Sequence, residues 1–368
     1  MDDIFAFADA LGPRKIVHIY DPSTGLKAVL AVDNTACGPS IGGIRMAPDV
    51  STVEAFRLAR AMTLKNAAAG LPHGGGKSVI SADPKMPAPQ KERLIRSFAR
   101  AIREITEYIP GPDMGTDEQC MAWIKDEIGR AVGLPPEIGG IPLDEIGATG
   151  FGLSVCVDVA RKFCGLEIQG ARVVVQGFGS VGKHAARFLA AQGALLVAAA
   201  DSKGTLFNPK GIEVSRLIQL KEAGKSVIDS PEGEKLPGDA VIDIACDIWI
   251  PAARPDVITA ENVGRLRTKL VVPGANIPAT LEAEKILNDR KILAVPDFIA
   301  NAGGVICAAV EYHGGTQTLA FQMIEEKIRA NTAAVLEESV KKTVLPREAA
   351  VALAEQRVRK AMGYQRSS

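Results

Sequence analysis

The feature that most constrains this chain lies near its middle. Arg172-Val173-Val174-Val175-Gln176 runs directly into Gly177-Phe178-Gly179-Ser180-Val181-Gly182, and an alanine-rich helical pattern follows. A G-x-G-x-x-G sequence in strand–turn–helix context commits this segment to an α/β unit. The first glycine permits the tight turn, the second lets backbone approach a pyrophosphate, and the third lets helix pack on strand. The helix start adds N–H groups and partial positive charge for the phosphates. For the glycines alone, a bare tight turn is the alternative. Asp201 adds to the pattern: it lies 201 − 182 = 19 residues after Gly182, at the end of the next apolar run, Leu195–Ala200. A carboxylate there can bond both ribose hydroxyls of NAD and repel the 2′-phosphate of NADP. A turn role before Ser202-Lys203-Gly204 is its alternative, and Lys203 keeps NADP open.

At 368 residues the chain exceeds one ordinary core, which predicts two domains. Further apolar runs at Val241–Ile244, Leu270–Val272 and Ile292–Val295 alternate with helical patterns and predict a parallel sheet. Upstream, strand-like Lys15–Tyr20 and Leu26–Val32 flank the turn Pro22-Ser23-Thr24-Gly25. Ser51 and Glu54 have capping-box spacing, opening a helix to about Ala69 that Gly70 stops. Gln90–Tyr108 reads as a second helix, and Thr116 with Gln119 opens a third, through Ala131. Glycines and prolines crowd Gly133–Gly147, which predicts a domain boundary and hinge. The fold class is therefore α/β. A first α/β domain is assigned to 1–146, a Rossmann-type doubly wound domain to 147–331, and charged helices at 332–368 to packing back on the first domain.

Forty-three basic residues balance forty-three acidic ones, giving no electrostatic reason for a nucleic-acid or membrane partner. The start, MDDIFAFADALGPRK, lacks the basic and apolar segments of a signal peptide, and no apolar run approaches the roughly 20 residues that span a bilayer. Six cysteines without a C-x-x-C pair, and four histidines without ligand spacing, predict reduced thiols in a cytoplasmic protein and no metal site.

Leu71-Pro72-His73-Gly74-Gly75-Gly76-Lys77-Ser78-Val79 is the most unusual stretch of the first domain. Three glycines let backbone approach a ligand and put Lys77 on a loop free of neighbouring side chains. A phosphate cradle is the rival, but G-x-x-x-x-G-K-[ST] fails because no glycine stands five before Gly76. Lys65 lies 77 − 65 = 12 residues earlier among small apolar residues; the pair suggests a shared anionic target. A desolvated lysine beside a second cation loses affinity for its proton and can act near neutral pH. Asp113, before the third helix, is a turn aspartate by itself; paired with Lys77 it could move protons to and from an amine.

Together these segments resemble the glutamate/leucine/phenylalanine/valine dehydrogenase family over roughly Lys15–Ala330. Leu71 through Lys77 to Asp83-Pro84 matches its active-site signature. Gly42-Gly43-Ile44-Arg45, Asp113, Ala148-Thr149-Gly150, Gly274-Ala275-Asn276 and Pro296 to Val305 follow in family order. The resemblance implies a substrate domain and a dinucleotide domain that close over a cleft, NAD as cofactor, and a homo-oligomer. It implies reversible conversion of an L-amino acid to its 2-oxo acid and ammonia. Lys65, beside Gly43, would hold the α-carboxylate, Lys77 would assist water attack on the imine, and Asp113 would exchange protons with the amino group. Gly177, Gly179, Ser180, Val181, Gly182, Asp201 and Ala252 would hold the dinucleotide; Thr149, Asn276 and Asn301 would lie at its nicotinamide end.

Glutamate-specific members carry a lysine before the G-G-x-R segment and a serine seven residues after the N-A-G-G asparagine. Here those positions are Ile41 and Ala308, with Val305 nearby. An unpaired carboxylate there is costly, whereas an apolar side chain gains about 0.8 kcal/mol per buried methylene. The expectation is a leucine-, valine- or phenylalanine-like substrate. Two alternatives stand beside it: a glutamate dehydrogenase in which Arg45 or His73 supplies the charge, and a silent nucleotide-binding sensor.

Overall fold

A computed structural model describes residues 7–365. The acidic start read above includes residues 1–6, which lie outside the described residues. The chain forms two compact units, Met1–Pro142 with Val305–Ala320 and Val351–Ser368, and Leu143–Gly304 with Phe321–Ala350. The 1–146/147–331 assignment differs in three ways. The break falls before Leu143, Val305–Ala320 belongs to the first unit, and of the C-terminal residues 332–368 only those from Val351 do.

In the first unit the strands are β1 (Lys15–Asp21), β2 (Leu26–Asn34) and β3 (Ser40–Ala47). Helix α1 (Thr52–Ala68), β4 (Gly74–Ser81), α2 (Ala88–Ala101), β5 (Tyr108–Pro112) and α3 (Glu118–Ile128) follow. The sheet order is β1-β2-β4-β3-β5, with β1, β2 and β4 successively antiparallel and β4, β3 and β5 parallel. Its core joins Leu26, Leu30, Ile44 and Met46 of the strands to Leu94, Phe98, Met121 and Ile124 of the helices.

Several expectations shift here. Ser51 caps α1 by accepting the Glu54 N–H, but the Glu54 carboxylate turns to Arg45 instead of reaching back. The helix expected at Gln90–Tyr108 ends at Ala101, because Tyr108 opens β5 and buries its ring beside Gly76. Asp117, not Thr116, caps α3, and Gly129 ends it with φ of 74°. Thr116 is used elsewhere, accepting the Asp113 N–H and donating to Ile44 O.

The second unit begins with α4 (Leu143–Ile146) and α5 (Ala148–Ala160), then β6 (Arg172–Gln176), α6 (Ser180–Ala191), β7 (Leu195–Asp201), β8 (Gly204–Phe207), α7 (Val214–Glu222), β9 (Glu234–Leu236) and β10 (Ile248–Pro251). It continues with β11 (Leu270–Val271), α8 (Leu281–Asp289), β12 (Leu293–Ala294) and α9 (Asp297–Ala300). The sheet order β12-β11-β10-β6-β7-β8-β9 is parallel through β7 and antiparallel beyond it. Val241–Ile244 is not the strand expected: Gly238–Asp243 is a 3-10 turn whose Val241 and Ile242 plug the core. The strand is Ile248–Pro251, all four residues buried. Helices α10 (Gly303–Tyr312), α11 (Gln317–Lys342) and α12 (Pro346–Met362) complete the chain. Within the first unit, Arg357 of α12 donates to the carbonyls of Ala67 and Ala68, groups that the end of α1 leaves open. No helix among the described residues is long and apolar enough to cross a membrane.

Candidate functional site

In the first unit, four charged side chains gather beside the parallel strands: Lys77 in the middle of β4, Arg45 in β3, Asp113 just past β5 and Glu54 in the first turn of α1. Asp113 follows β5 directly, and Gly43 of β3 lies against it: a methyl group on Gly43 would collide with Asp113 Cβ and Pro112 O. Lys77 Nζ lies 2.7 Å from Asp113 Oδ2, and Arg45 Nε donates to the same oxygen at 2.9 Å. The other end of the Arg45 guanidinium donates to Glu54 at 2.6 Å. Lys77 is 5 % exposed, and it belongs to buried strand β4 rather than to the open loop expected from the glycines. Burial is the largest influence on its ammonium and pulls its pKa below the usual value; Asp113 opposes that and Arg45 adds to it. Burial would raise the Asp113 carboxyl, but Lys77 and Arg45 outweigh it and hold the group ionised, below its usual range.

Lys65 lies in the last turn of α1, half-buried, on the helix that packs over Gly75. Ile41 and Ala308 are brought together, in one buried apolar cluster with Ile109 and Val132 and with Tyr312 packed against it. Val305 is half-buried at the start of α10, outside that cluster. The two proposed substitutes for a missing charge are otherwise engaged. Arg45 already pairs with two carboxylates. His73 contacts Pro39 O through Nδ1 at 3.0 Å and His313 Nε2 through its own Nε2 at 3.2 Å, and burial lowers its pKa. A carbonyl only accepts, so His73 carries its proton on Nδ1. Glu54 reads in the sequence only as a helix cap and Arg45 only as a candidate partner for a distal carboxylate; the signal for the place of Arg45 beside Asp113 is that it closes the G-G-x-R segment two residues after Gly43.

In the second unit, a groove of about 770 Å³ is lined by Gly177, Phe178, Gly179, Asp201, Ala252 and Asn262, among others. Gly177 has φ of 94°, and a side chain there would strike Ala252 and Ala253. At Gly182 it would strike Gly177 O; at Gly179 it would meet nothing, so the space over the second glycine is open. Ser180, Val181 and Gly182 begin α6, where the first-turn N–H groups have no intrahelical acceptor. These residues fit a dinucleotide pyrophosphate. Asn301 donates to Asn276 Oδ1 at 2.9 Å and to Ala275 O at 3.2 Å, while its own Oδ1 is buried without a partner, as is Gln176 Oε1. Two buried acceptors awaiting donors suit a carboxamide-bearing ring. Thr149 stands in the first turn of α5, beside Gly303 and Gly304.

Asp201 needs correction. It lines the groove, but all four acceptor positions are already used. Lys203 N and Ser226 Oγ donate to Oδ1, and Lys221 Nζ and Val227 N donate to Oδ2. Burial would raise its carboxyl; those donors, Lys221 first, bring it down to about 2. The paired carboxylate has no free lone pair for ribose hydroxyls and, with Lys221 attached, repels a 2′-phosphate weakly.

Two family models cover this chain. Residues 139–366 match the glutamate/leucine/phenylalanine/valine dehydrogenase model, and residues 13–130 match the dimerisation domain of the same family. An NADP(+)-dependent glutamate dehydrogenase of Pyrobaculum calidifontis is 38 % identical over 357 residues, covering 89 % of this chain and 84 % of that one. The catabolic NAD-specific glutamate dehydrogenase RocG of Bacillus subtilis is 36 % identical over 312 residues, covering 81 % and 73 %. A hetero-hexameric glutamate dehydrogenase of Thermus thermophilus, solved in a leucine-bound form, superposes with a TM-score of 0.84 at 29 % identity, covering 95 % of this chain and 89 % of that one. The relatives' names give no support to a leucine- or phenylalanine-type pocket, while the amino-acid dehydrogenase class holds. This chain belongs to the glutamate/leucine/phenylalanine/valine dehydrogenase family and is an oxidoreductase acting on the CH–NH2 group of an amino acid.

Proposed function

We propose that the chain catalyses the reversible, NAD-dependent oxidative deamination of an apolar L-amino acid to its 2-oxo acid and ammonia, with NADP as an accepted second cofactor. The observation that carries the substrate assignment is the Ile41–Ala308 cluster, apolar and buried at both positions where glutamate-specific members place polar partners. A γ-carboxylate entering it would lose its water without gaining a cation, because Arg45 and His73 are committed elsewhere. An aliphatic or aromatic side chain would gain by burial instead.

In this reading Lys65 pairs with the α-carboxylate, and Asp113, kept ionised by two cations, takes a proton from the substrate ammonium. Bound nicotinamide supplies the acceptor for the hydride that leaves Cα. Once Asp113 has taken that proton it no longer holds Lys77 charged, and Lys77, its proton affinity lowered by burial, gives up its own proton and takes one from the water that attacks the substrate imine. Thr149, Asn276 and Asn301 orient the ring, and Gly177 through Gly182 with Ala252 hold the pyrophosphate. NAD and NADP both remain because Lys221 neutralises Asp201. The dimerisation-domain match supports assembly with further copies of the chain, and six unpaired cysteines suit a reducing, cytoplasmic setting.

A second reading, a glutamate dehydrogenase with an altered side-chain pocket, is favoured by the names of the relatives. A panel of L-amino acids with NAD and with NADP, followed at the NADH absorbance, decides between them. Leucine, valine or phenylalanine should exceed glutamate in kcat/KM by about 100-fold or more. Preference for glutamate would replace the first reading with the second.

A further inference from the structure

We infer that Arg347, at the start of α12, is a positioning residue for the nicotinamide end of the site, acting through Asp297. The inference rests on the reading of Asn276 and Asn301 given above. Helix α9 is only four residues long, yet it grips the 274–277 loop from both ends. At its start, Asp297 Oδ2 accepts the Ile277 N–H at 2.8 Å. Just past its end, the Asn301 amide donates to Asn276 Oδ1 at 2.9 Å and to Ala275 O at 3.2 Å. Asn276, exposed, is thus held between two neighbours that are fixed by one short helix.

The loop does not adopt this shape unaided. Ile277 is β-branched and has φ of 48°, a left-handed conformation that such residues disfavour. The Asp297 bond to Ile277 N and the Asp256 N–H to Ile277 O, at 2.9 Å, hold it there. Asp297 is 4 % exposed, and a carboxylate buried to that degree needs a charged partner to hold it in place. Arg347 supplies it: Nη2 donates to Asp297 Oδ1 at 2.8 Å, while Nε and Nη2 fork onto Glu284 at 2.7 and 2.6 Å. Glu284 fixes the guanidinium from α8, the guanidinium fixes Asp297, and Asp297 fixes the backbone next to Asn276. Each link lies in the second unit.

The test compares Arg347→Met, Arg347→Lys, Asp297→Asn and Asn301→Ala in the full-length enzyme. Binding is measured with ADP-ribose, which lacks the nicotinamide, and with NAD. Turnover is measured with the best substrate of the panel, with and without deuterium at Cα. Arg347→Met should leave ADP-ribose affinity within about twofold, lower kcat by about 10- to 100-fold, and raise the deuterium isotope effect, as expected when ring orientation limits hydride transfer. Arg347→Lys should recover part of that loss, since it restores the charge but not the fork. Asp297→Asn keeps the volume and an acceptor, and should show the same pattern more mildly should the methionine variant fail to fold. Wild-type kcat and isotope effect in these variants, with Asn301→Ala impaired, would overturn the role of Arg347 alone. Equal losses of ADP-ribose and NAD affinity would overturn it as well, because the network would then serve the whole domain. Normal NAD binding and turnover in Asn301→Ala would remove the reading on which it rests.

Discussion

Two glycine triplets serve this enzyme, and they do opposite things. Gly74, Gly75 and Gly76 lie within a regular buried strand, and each is small because something else needs the room. A methyl group on Gly75 would meet Thr63 N and Ala59 O of α1; on Gly76 it would press on Ser40 and the Tyr108 ring. These glycines bring a helix and two strands close enough for Lys77 to be buried beside Asp113. Gly177, Gly179 and Gly182 instead shape a turn around a space. One takes a left-handed φ, one faces open groove, and one admits the start of α6. In the first unit glycine places charged side chains; in the second it presents backbone. The same residue type therefore gives a buried cluster of charged side chains in one region and a cradle of backbone groups in the other.

The contrast can be broken at its strongest point first. Gly75→Ala should cost about 4 kcal/mol or more of stability, because the added methyl meets backbone of α1 and not a flexible side chain. Thermal or denaturant unfolding reads this directly, and a near-wild-type midpoint would mean α1 is not packed as described. Next in size, Ile41→Lys with Ala308→Ser should move selectivity from leucine toward glutamate by about 100-fold, measured as the ratio of kcat/KM values. No movement would detach the apolar cluster from substrate choice. Gly179→Ala should leave the unfolding midpoint unchanged, since its methyl meets nothing in the free protein. It should weaken NAD binding about 10- to 100-fold, or about 1.4–2.8 kcal/mol by calorimetry. The smallest effect is a shift along the pH axis. Arg45 lowers the proton affinity of Lys77, so Arg45→Met should raise it. Oxidative deamination needs Lys77 to give up its proton, so the rising limb of kcat/KM against pH should move toward alkaline pH. Movement toward acid would reverse the assigned electrostatics.

Much of this was legible in the residues, for reasons that differ by region. Arg172–Gly182 reads directly because a strand, a turn and a helix start each leave a local mark within eleven positions (182 − 172 + 1). The order of family motifs carried Lys77 and Asp113, though not their contact, which depends on β3, β4 and β5 lying side by side. Other features depended on tertiary partners. Lys77 on three glycines looks like a loop until α1 and Tyr108 fill the space the glycines leave. Val241–Ile244, interrupted by Asp243, and Ile248–Pro251 are both short apolar runs, and packing decides which becomes the strand. Asp201 ends its strand as expected, but Lys221 and Ser226, 20 and 25 residues further on, take its oxygens. Glu54 has the spacing of a capping partner, and a guanidinium across the sheet outcompetes the cap.

The division of labour between the two regions is tested most directly by one variant measured twice. Lys77→Ala removes the buried ammonium and leaves every residue of the dinucleotide groove in place. NAD affinity should stay within about twofold of wild type, while kcat for oxidative deamination falls by about 100- to 10,000-fold. Turnover near the wild-type value, with NAD binding intact, would contradict the account.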